Sequence, residues 1–199
     1  MLHYIYVHME LIFASGNKNK AAEIQHDLNG IVNIQTLADL GFTDDIPETA
    51  DTLAGNALLK AQFCVTEFGK ACFADDTGLE IEALHGEPGV FSARYAGEMR
   101  DPELNMQKVL RKLEHQTNRK ACFKTVIALL MDGEVHFFEG RVDGEITHER
   151  IGTGGFGYDP IFRPDGSEKT FGEMSLDEKS KFSHRSRAVA QLVSFLKNT

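Results

Sequence analysis

The residues with the clearest chemical potential are two adjacent carboxylates, Asp75 and Asp76, which directly follow the apolar run 71–74. That run predicts a short buried strand, Thr77-Gly78 a break, and the alternating segment 79–83 a second strand. Successive side chains of an extended chain point to opposite sides. At most one of the two carboxylates is therefore expected to face a given pocket, and the other is expected to cap, turn or face solvent.

Three functions could use this stretch. A carboxylate at a strand end can hold Mg²⁺ for phosphate chemistry. The triplet Asp76-Thr77-Gly78 is also the triplet of aspartic proteases, which need two such carboxylates sharing a proton. The third alternative is a simple Asx-type turn between strands, and the stretch taken alone favours that turn.

A second candidate lies near the start of the chain, where the segment from Met9 to Ser15 predicts a strand. Gly16 to Lys20 then predicts a turn, and a helical pattern follows up to Gly30. Such a junction points backbone N–H groups and the positive helix end outward, which suits phosphate. The spacing fits neither a P-loop nor a dinucleotide fingerprint, so a helix cap with solvated lysines explains it equally well.

The middle of the chain predicts an alternation of strands and helices. A helix from Thr52 to Phe68, ended by Gly69, places Asn56 and Lys60 on one face, where both could simply be solvated. The other predicted elements are a strand at 31–37, an acidic loop at 44–49, a turn at 86–89, a loop at 90–97, a helix at 101–115 that begins with Asp101-Pro102, a strand at 121–131, its hairpin partner at 134–139, and a further strand at 141–147 after a break at Gly140.

Two later segments could bind a ligand. The glycine-rich run from Ile151 to Phe162 lets backbone approach a ligand while Phe156 or Tyr158 offers a ring, although a plain glycine-rich hairpin is the alternative. A capping box at Ser175 and a last amphipathic helix follow. Near these helix starts lie cations that oppose the helix dipole and so invite an anion, namely Lys179, His184 and Arg185.

Composition bounds the class of protein. The 199 residues are 42% hydrophobic and 26% charged, as expected for one globular domain with a real core. A net charge of -9 argues against binding nucleic acid polymers. Three cysteines without metal-ligand spacing predict buried thiols in a reducing compartment. No signal or membrane segment is recognised, so we expect a cytoplasmic protein without a membrane partner.

Several motifs, in order along the chain, resemble those of the inosine triphosphate pyrophosphatase family. They are Ser15-Gly16-Asn17-x-x-Lys20, Pro47-Glu48-Thr49, Asn56-Ala57-x-x-Lys60-Ala61, Phe73 to Leu79, Pro88-Gly89-x-x-Ser92-Ala93-Arg94-Tyr95, Gly152 to Pro160, and Glu178-Lys179-Ser180-x-x-Ser183-His184-Arg185. The resemblance runs from about residue 9 to residue 196. It implies a hydrolase that converts inosine, deoxyinosine and xanthosine triphosphates to monophosphate and pyrophosphate.

The resemblance also implies an architecture and a set of roles. The implied fold is an elongated α/β fold, two lobes around a long central mixed sheet with the nucleotide cleft between them, working as a homodimer. Residues 9–199 would form one domain, and residues 1–8 an extension without an assigned role. Asp76 would activate water and, with Glu48, hold Mg²⁺. The implied substrate contacts are Ser15, Gly16, Asn17, Lys18, Asn19, Lys20, Asn56, Lys60, Thr77, Phe156, Gly157, Tyr158, Asp159, Lys179, His184 and Arg185, of which His184 and Arg185 would read the 6-oxo edge of the purine.

One departure from the family pattern stands out. The family often has Glu directly before the asparagine of Asn56-Ala57, whereas this chain has Gly55. If that acid helps to bind metal in relatives, this protein relies on Glu48 and Asp76 alone. Gly55 also leaves open a non-catalytic sensor of inosine nucleotides, and a dimeric aspartic protease is a more distant alternative.

Overall fold

The computed structural model describes residues 10–28 and 30–198, and the extension expected at residues 1–8 lies outside the described residues. Within the described ranges, seven strands and five α-helices form a mixed α/β fold. The strands are β1 (Glu10–Phe13), β2 (Asn33–Thr36), β3 (Cys72–Ile81), β4 (Pro88–Gly89), β5 (Lys120–Met131), β6 (Glu134–Ile146) and β7 (Phe162–Pro164). The helices are α1 (Lys18–Leu28), α2 (Leu53–Phe68), α3 (Pro102–Lys112), α4 (Leu176–Ser180) and α5 (His184–Leu196).

The strands belong to one sheet in the order β2-β1-β3-β5-β6-β7, with β4 paired to β3. β1 runs parallel to β2 and β3, whereas β4 and β7 pair antiparallel with β3 and β6. The predicted α/β class with a long mixed sheet is therefore confirmed. None of the described helices is both long and apolar enough to cross a bilayer.

The helix boundaries follow the capping signals in the sequence. Thr52 accepts a hydrogen bond from the N–H of Gly55, and Gly69 ends α2 in the left-handed conformation at φ 65°. Asp101 caps α3 with Pro102 in its first turn, and Ser175 closes a capping box at α4. The helices predicted from these residues are confirmed to within a few residues.

Two predicted strand breaks are wrong. β3 continues through Thr77-Gly78, and β6 continues through Gly140. The segment 90–97, predicted to be a loop, contains a short 3-10 helix at Ser92–Arg94. A glycine lowers strand propensity only modestly, so pairing with neighbouring strands can carry the ladder through it.

The described chain divides into two compact units, and β3, β5 and β6 each contribute residues to both. Of the described residues, the first unit contains 10–28, 30–76, 125–140 and 185–198, and the second contains 77–124 and 141–184. The core of the second unit is rich in aromatic rings, among them Phe123, Phe162 and Phe171. The three cysteines are free and buried, as predicted.

The first unit buries both faces of its part of the sheet. Leu11, Phe13 and Phe73 pack with α1 and α5, whereas the intervening Ile12 and Ala74 pack with α2. Alternation along the strands explains this division, because helices cover both faces. The same alternation fixes where the next two residues of β3 must point.

Candidate active site

Asp75 and Asp76 lie on opposite faces of β3, as the sequence predicted. Asp75 continues the face of Phe73, towards α1 and α5, and Asp76 continues the face of Ala74, towards α2. Each carboxylate meets a different set of charged side chains. The first unit therefore holds two charged clusters, one on either side of a single strand.

The Asp75 cluster contains two cations and a second acid. The carboxylate of Asp75 is fully buried, with the Nζ atom of Lys20 at 3.1 Å and the guanidinium of Arg185 at 3.3 Å. Arg185 also forms an ion pair with Glu23. The expectation that one of the two carboxylates would cap, turn or face solvent is therefore wrong for Asp75, because α1 and α5 cover that face of the strand.

The electrostatics of this cluster favour the charged form of Asp75. Burial alone would raise the pKa of its carboxyl group, but the cations of Lys20 and Arg185 hold that pKa well below its ordinary value. Burial would lower the pKa of Arg185, and the carboxylates of Asp75 and Glu23 raise it instead. For Lys20 burial dominates and lowers the pKa, although Asp75 opposes it.

The Asp76 cluster contains the two predicted metal ligands. The Nζ atom of Lys60 lies 2.6 Å from Oε1 of Glu48 and 3.9 Å from Oδ1 of Asp76. The amide of Asn56 donates to the other oxygen of Asp76, Oδ2, at 3.1 Å. Glu48, Lys60 and Asp76 are thus brought together, with the two acids around one cation.

The protonation behaviour of Asp76 differs from that of its neighbour. Burial raises the pKa of Asp76, and Lys60 and Lys20 only partly oppose this effect. Burial would lower the pKa of Lys60, but Asp76 and Glu48 raise it. Asp76 is therefore the more basic of the two adjacent carboxylates, a property suited to accepting a proton.

The turn from Ser15 to Lys20 is organised by its own side chains. The N–H of Asn17 donates to Oγ of Ser15, and Oδ1 of Asn17 accepts from the N–H groups of Asn19 and Lys20. These three N–H groups are therefore bonded within the turn, as in a helix cap. Gly16 has open space where a side chain would begin, and Lys18 and Asn19 are exposed.

In the second unit, Asp159 organises the glycine-rich loop. Its Oδ2 atom accepts from the N–H of Phe156 at 2.8 Å and from Nζ of Lys179 at 2.6 Å. A Cβ atom at Gly155 would lie 2.2 Å from that same oxygen, so only glycine fits there. Nζ of Lys179 lies 4.8 Å from the ring centre of Phe156. The structure thus brings Phe156, Asp159 and Lys179 together. The anion expected beside Lys179 is the carboxylate of Asp159.

The remaining predicted residues have mixed environments. The buried ring of His184 stacks on Phe123 with centres 4.6 Å apart, and Tyr158 donates to the carbonyl of Ser92. Thr77 and Gly157 are partly exposed. His184 and Arg185 are adjacent in sequence, but His184 belongs to the second unit and Arg185 to the first.

Sequence reasoning missed two partners. Glu23 follows Lys20 by three residues on α1, a spacing that shares a helix face and could have suggested a common charged cluster. The ring centre of Phe171 lies 5.2 Å from Nζ of Lys179 and 6.3 Å from the ring centre of His184. No sequence signal marks Phe171 out from the other core phenylalanines.

The donor set around Lys60 fits Mg²⁺. Glu48 and Asp76 already share one positive charge, and carboxylate oxygens are the ligands that Mg²⁺ prefers. Among the described residues, no group of three or more histidine, cysteine or acidic side chains could hold a metal alone. Mg²⁺ usually takes one or two carboxylates and completes its shell with water and substrate phosphates, so two acids suffice.

The fold and the two clusters define an α/β protein that concentrates charge on both sides of one strand. A family model described as the Ham1 family matches residues 11–195, and the chain belongs to that family. The dITP/XTP pyrophosphatase of Flavobacterium psychrophilum is 53% identical over 190 residues, which cover 96% of this chain and 100% of the relative. That of Porphyromonas gingivalis is 55% identical over 188 residues, covering 94% and 97%. A solved HAM1 protein from Coxiella burnetii has a TM-score of 0.87 at 37% identity, covering 96% and 100%.

Proposed function

We propose that the protein hydrolyses non-standard purine nucleoside triphosphates, namely inosine, deoxyinosine and xanthosine triphosphates, to monophosphate and pyrophosphate. The observation that carries this proposal is the meeting of Glu48, Asp76 and Lys60 in one cluster at β3. Relatives covering almost the whole chain carry the name dITP/XTP pyrophosphatase, which supports the substrate class.

In the proposed mechanism Asp76 is the general base. Its carboxylate lies inside the charged cluster, and Asn56 holds it in one orientation. Lys20 and Lys60 would stabilise the charge that develops on the leaving pyrophosphate. No covalent intermediate is required, and direct attack by water is the simpler scheme.

We propose that hydrolysis depends on Mg²⁺ held by Glu48 and Asp76. The bound ion would neutralise phosphate charge and lower the pKa of a coordinated water. The two carboxylates currently share the ammonium of Lys60, so that side chain would have to give up part of its contact with Glu48. Its cation would then be available to phosphate oxygens.

The remaining proposed contacts are with the base. We propose that Phe156 stacks on the purine and that Lys179 and His184 lie beside it. Donors aimed at the 6-oxo group would be left unpaired against the amino group of ATP, at a cost of about 1 to 3 kcal/mol for each buried group. Contact of Arg185 with the 6-oxo edge of the purine stays a prediction. In the structure, its guanidinium is bonded to Glu23 and Asp75.

A substrate panel tests the proposal. Inosine, deoxyinosine, xanthosine, adenosine and guanosine triphosphates are incubated with and without Mg²⁺, and the products are separated by chromatography. We expect monophosphate and pyrophosphate from the first three substrates, and loss of activity with EDTA. Release of orthophosphate instead, or equal kcat/KM for ATP and inosine triphosphate, would contradict the bond or the base assignment respectively.

The alternatives named above are not favoured. Gly55 was the one feature suggesting a non-catalytic sensor, and it has a packing reason: a Cβ there would lie 2.6 Å from Cβ of Ala50. Asp76-Thr77-Gly78 lies inside β3, and family membership does not favour a protease.

We also propose a homodimer located in the cytoplasm. The second unit exposes the apolar side chains of Phe91, Met99 and Leu104, a type of surface that dimers bury. Three buried free thiols suit a reducing compartment. Light scattering coupled to size-exclusion chromatography tests the dimer, and cell fractionation tests the location.

A further inference from the structure

Asn56 occupies an unusual place beside the Asp76 cluster. It is fully buried in the first turn of α2, with an exposed fraction of 0%. Its Oδ1 atom accepts from the N–H of Ala50 at 2.9 Å, and its Nδ2 atom donates to Oδ2 of Asp76 at 3.1 Å. A single amide thus ties the segment that carries Glu48 to the strand that carries Asp76.

Gly55 supplies a second, independent observation about the same contact. A Cβ atom at this position would lie 2.6 Å from Cβ of Ala50 and 3.0 Å from Oγ1 of Thr52. Ala50 therefore packs directly on the first turn of α2. In this chain, a side chain at position 55 would push Ala50 away from the helix.

The two oxygens of Asp76 are used differently. Asn56 binds Oδ2, whereas Lys60, one helical turn further along α2, lies nearer Oδ1. Holding one oxygen fixes the rotation of the carboxylate. The other oxygen is thereby directed to the side where Glu48 and Lys60 meet.

We propose that Asn56 is a positioning residue, rather than a substrate ligand, that sets the separation of Glu48 and Asp76 and directs Oδ1 of Asp76 towards the metal site. In this chain, Gly55 leaves room for Ala50 beside the contact. This inference rests on the proposed function, because it assigns the clamp to the two acids proposed to hold Mg²⁺. Partners that orient metal ligands typically contribute about 10- to 100-fold to metal affinity.

The test measures binding of Mn²⁺, as a paramagnetic substitute for Mg²⁺, to the protein without nucleotide. Free Mn²⁺ is followed by electron paramagnetic resonance for the wild type, Asn56→Ala and Gly55→Ala. We expect Asn56→Ala to bind Mn²⁺ at least about 10-fold more weakly. Gly55→Ala keeps the amide but displaces the segment, and we expect it to weaken binding as well.

The chain offers a matched control in Asn105. This asparagine is also buried, lies in a first helical turn, and bridges two loop groups: it accepts from the N–H of Ala96 and donates to the carbonyl of Ala93. It touches no carboxylate in these contacts. Asn105→Ala should therefore lower Tm much as Asn56→Ala does while leaving Mn²⁺ affinity unchanged.

Steady-state kinetics separate positioning from substrate contact. With Asn56→Ala we expect the half-saturating Mg²⁺ concentration to rise, while KM for inosine triphosphate at saturating Mg²⁺ stays within about twofold of wild type. A direct substrate ligand would instead raise KM. A raised KM with unchanged Mn²⁺ affinity would overturn the positioning role.

The outcomes separate this inference from the proposed function. If wild type neither binds Mn²⁺ nor cleaves inosine triphosphate, the function itself fails. If wild type does both and folded Asn56→Ala binds Mn²⁺ as tightly, only the positioning role is overturned. An equal loss of affinity in Asn105→Ala would also overturn it, because the effect would then be global. Should Asn56→Ala fail to fold, Gly55→Ala decides, and unchanged affinity there counts against the proposal.

Discussion

Replacing Asp75 with asparagine should destabilise the protein strongly. The substitution keeps the size of the side chain but removes a fully buried negative charge that faces Lys20 at 3.1 Å and Arg185 at 3.3 Å. Arg185 would keep its ion pair with Glu23, whereas Lys20 would face a neutral amide in place of the carboxylate. Removing one member of a buried ion pair is costly because the partner charge stays out of water.

The magnitude follows from that environment. Breaking a buried ion pair costs about 3 to 5 kcal/mol. Glu23 still pairs with Arg185, and an asparagine oxygen can still accept from Lys20, so we expect about 3 kcal/mol, at the lower end of that range. For a chain of 199 residues, 1 kcal/mol corresponds to about 2–4 °C in Tm, so the expected fall is about 6–12 °C.

Thermal unfolding by circular dichroism measures this fall, with Asp143→Asn as the control. Asp143 forms an exposed ion pair with Arg141, which is worth at most about 1 kcal/mol. The pKa of Asp75 is lowered in the folded state, so its stabilisation is complete above the unfolded value of about 3.9 and is lost as pH falls through the folded-state pKa. The difference from wild type should therefore persist at pH 7 and shrink below about pH 4. A Tm for Asp75→Asn equal to that of Asp143→Asn would refute the reasoning.

Three further predictions concern activity. Asp76→Asn should lower kcat by at least about 100-fold, since the amide cannot accept the proton, with Tm unchanged or higher; near-normal turnover in a steady-state assay would contradict this. Lys20→Ala should lower kcat/KM by about 10- to 100-fold through one lost charged contact to phosphate, and an unchanged value, as expected for exposed Lys70→Ala, would argue against that contact. Phe156→Ala should lower kcat/KM by about 10-fold for every purine triphosphate, because stacking ignores the substituents of the base; a loss confined to one base would point to a different contact.

Strand alternation allowed the sequence to predict that Asp75 and Asp76 point to opposite faces. It could not predict what covers each face. The environment of Asp75 depends on Arg185 and Glu23, which meet across 162 positions of the chain. Local periodicity contains no information on such a contact, so a carboxylate expected at a turn or in solvent is in fact buried.

Glycine explains the wrong strand boundaries. The sequence predicts breaks at Thr77-Gly78 and at Gly140 because glycine often marks turns. Within a paired strand glycine can serve another purpose, as Gly144 of β6 shows: a Cβ there would lie 2.3 Å from the carbonyl oxygen of Arg163. The sequence alone does not distinguish a glycine required for a turn from one required for close approach of a neighbouring strand.

The adjacent carboxylates of β3 have opposite relations to stability. Asp75 is held ionised by two cations, so its charge supports the fold. The raised pKa of Asp76 means that the fold disfavours its charge, so at neutral pH this carboxylate costs stability and gains basicity. The Asp75 cluster lies on the opposite face of the same strand. A lower Tm in Asp75→Asn together with a higher Tm in Asp76→Asn would therefore show that the first carboxylate stabilises the fold and that the second lowers its stability.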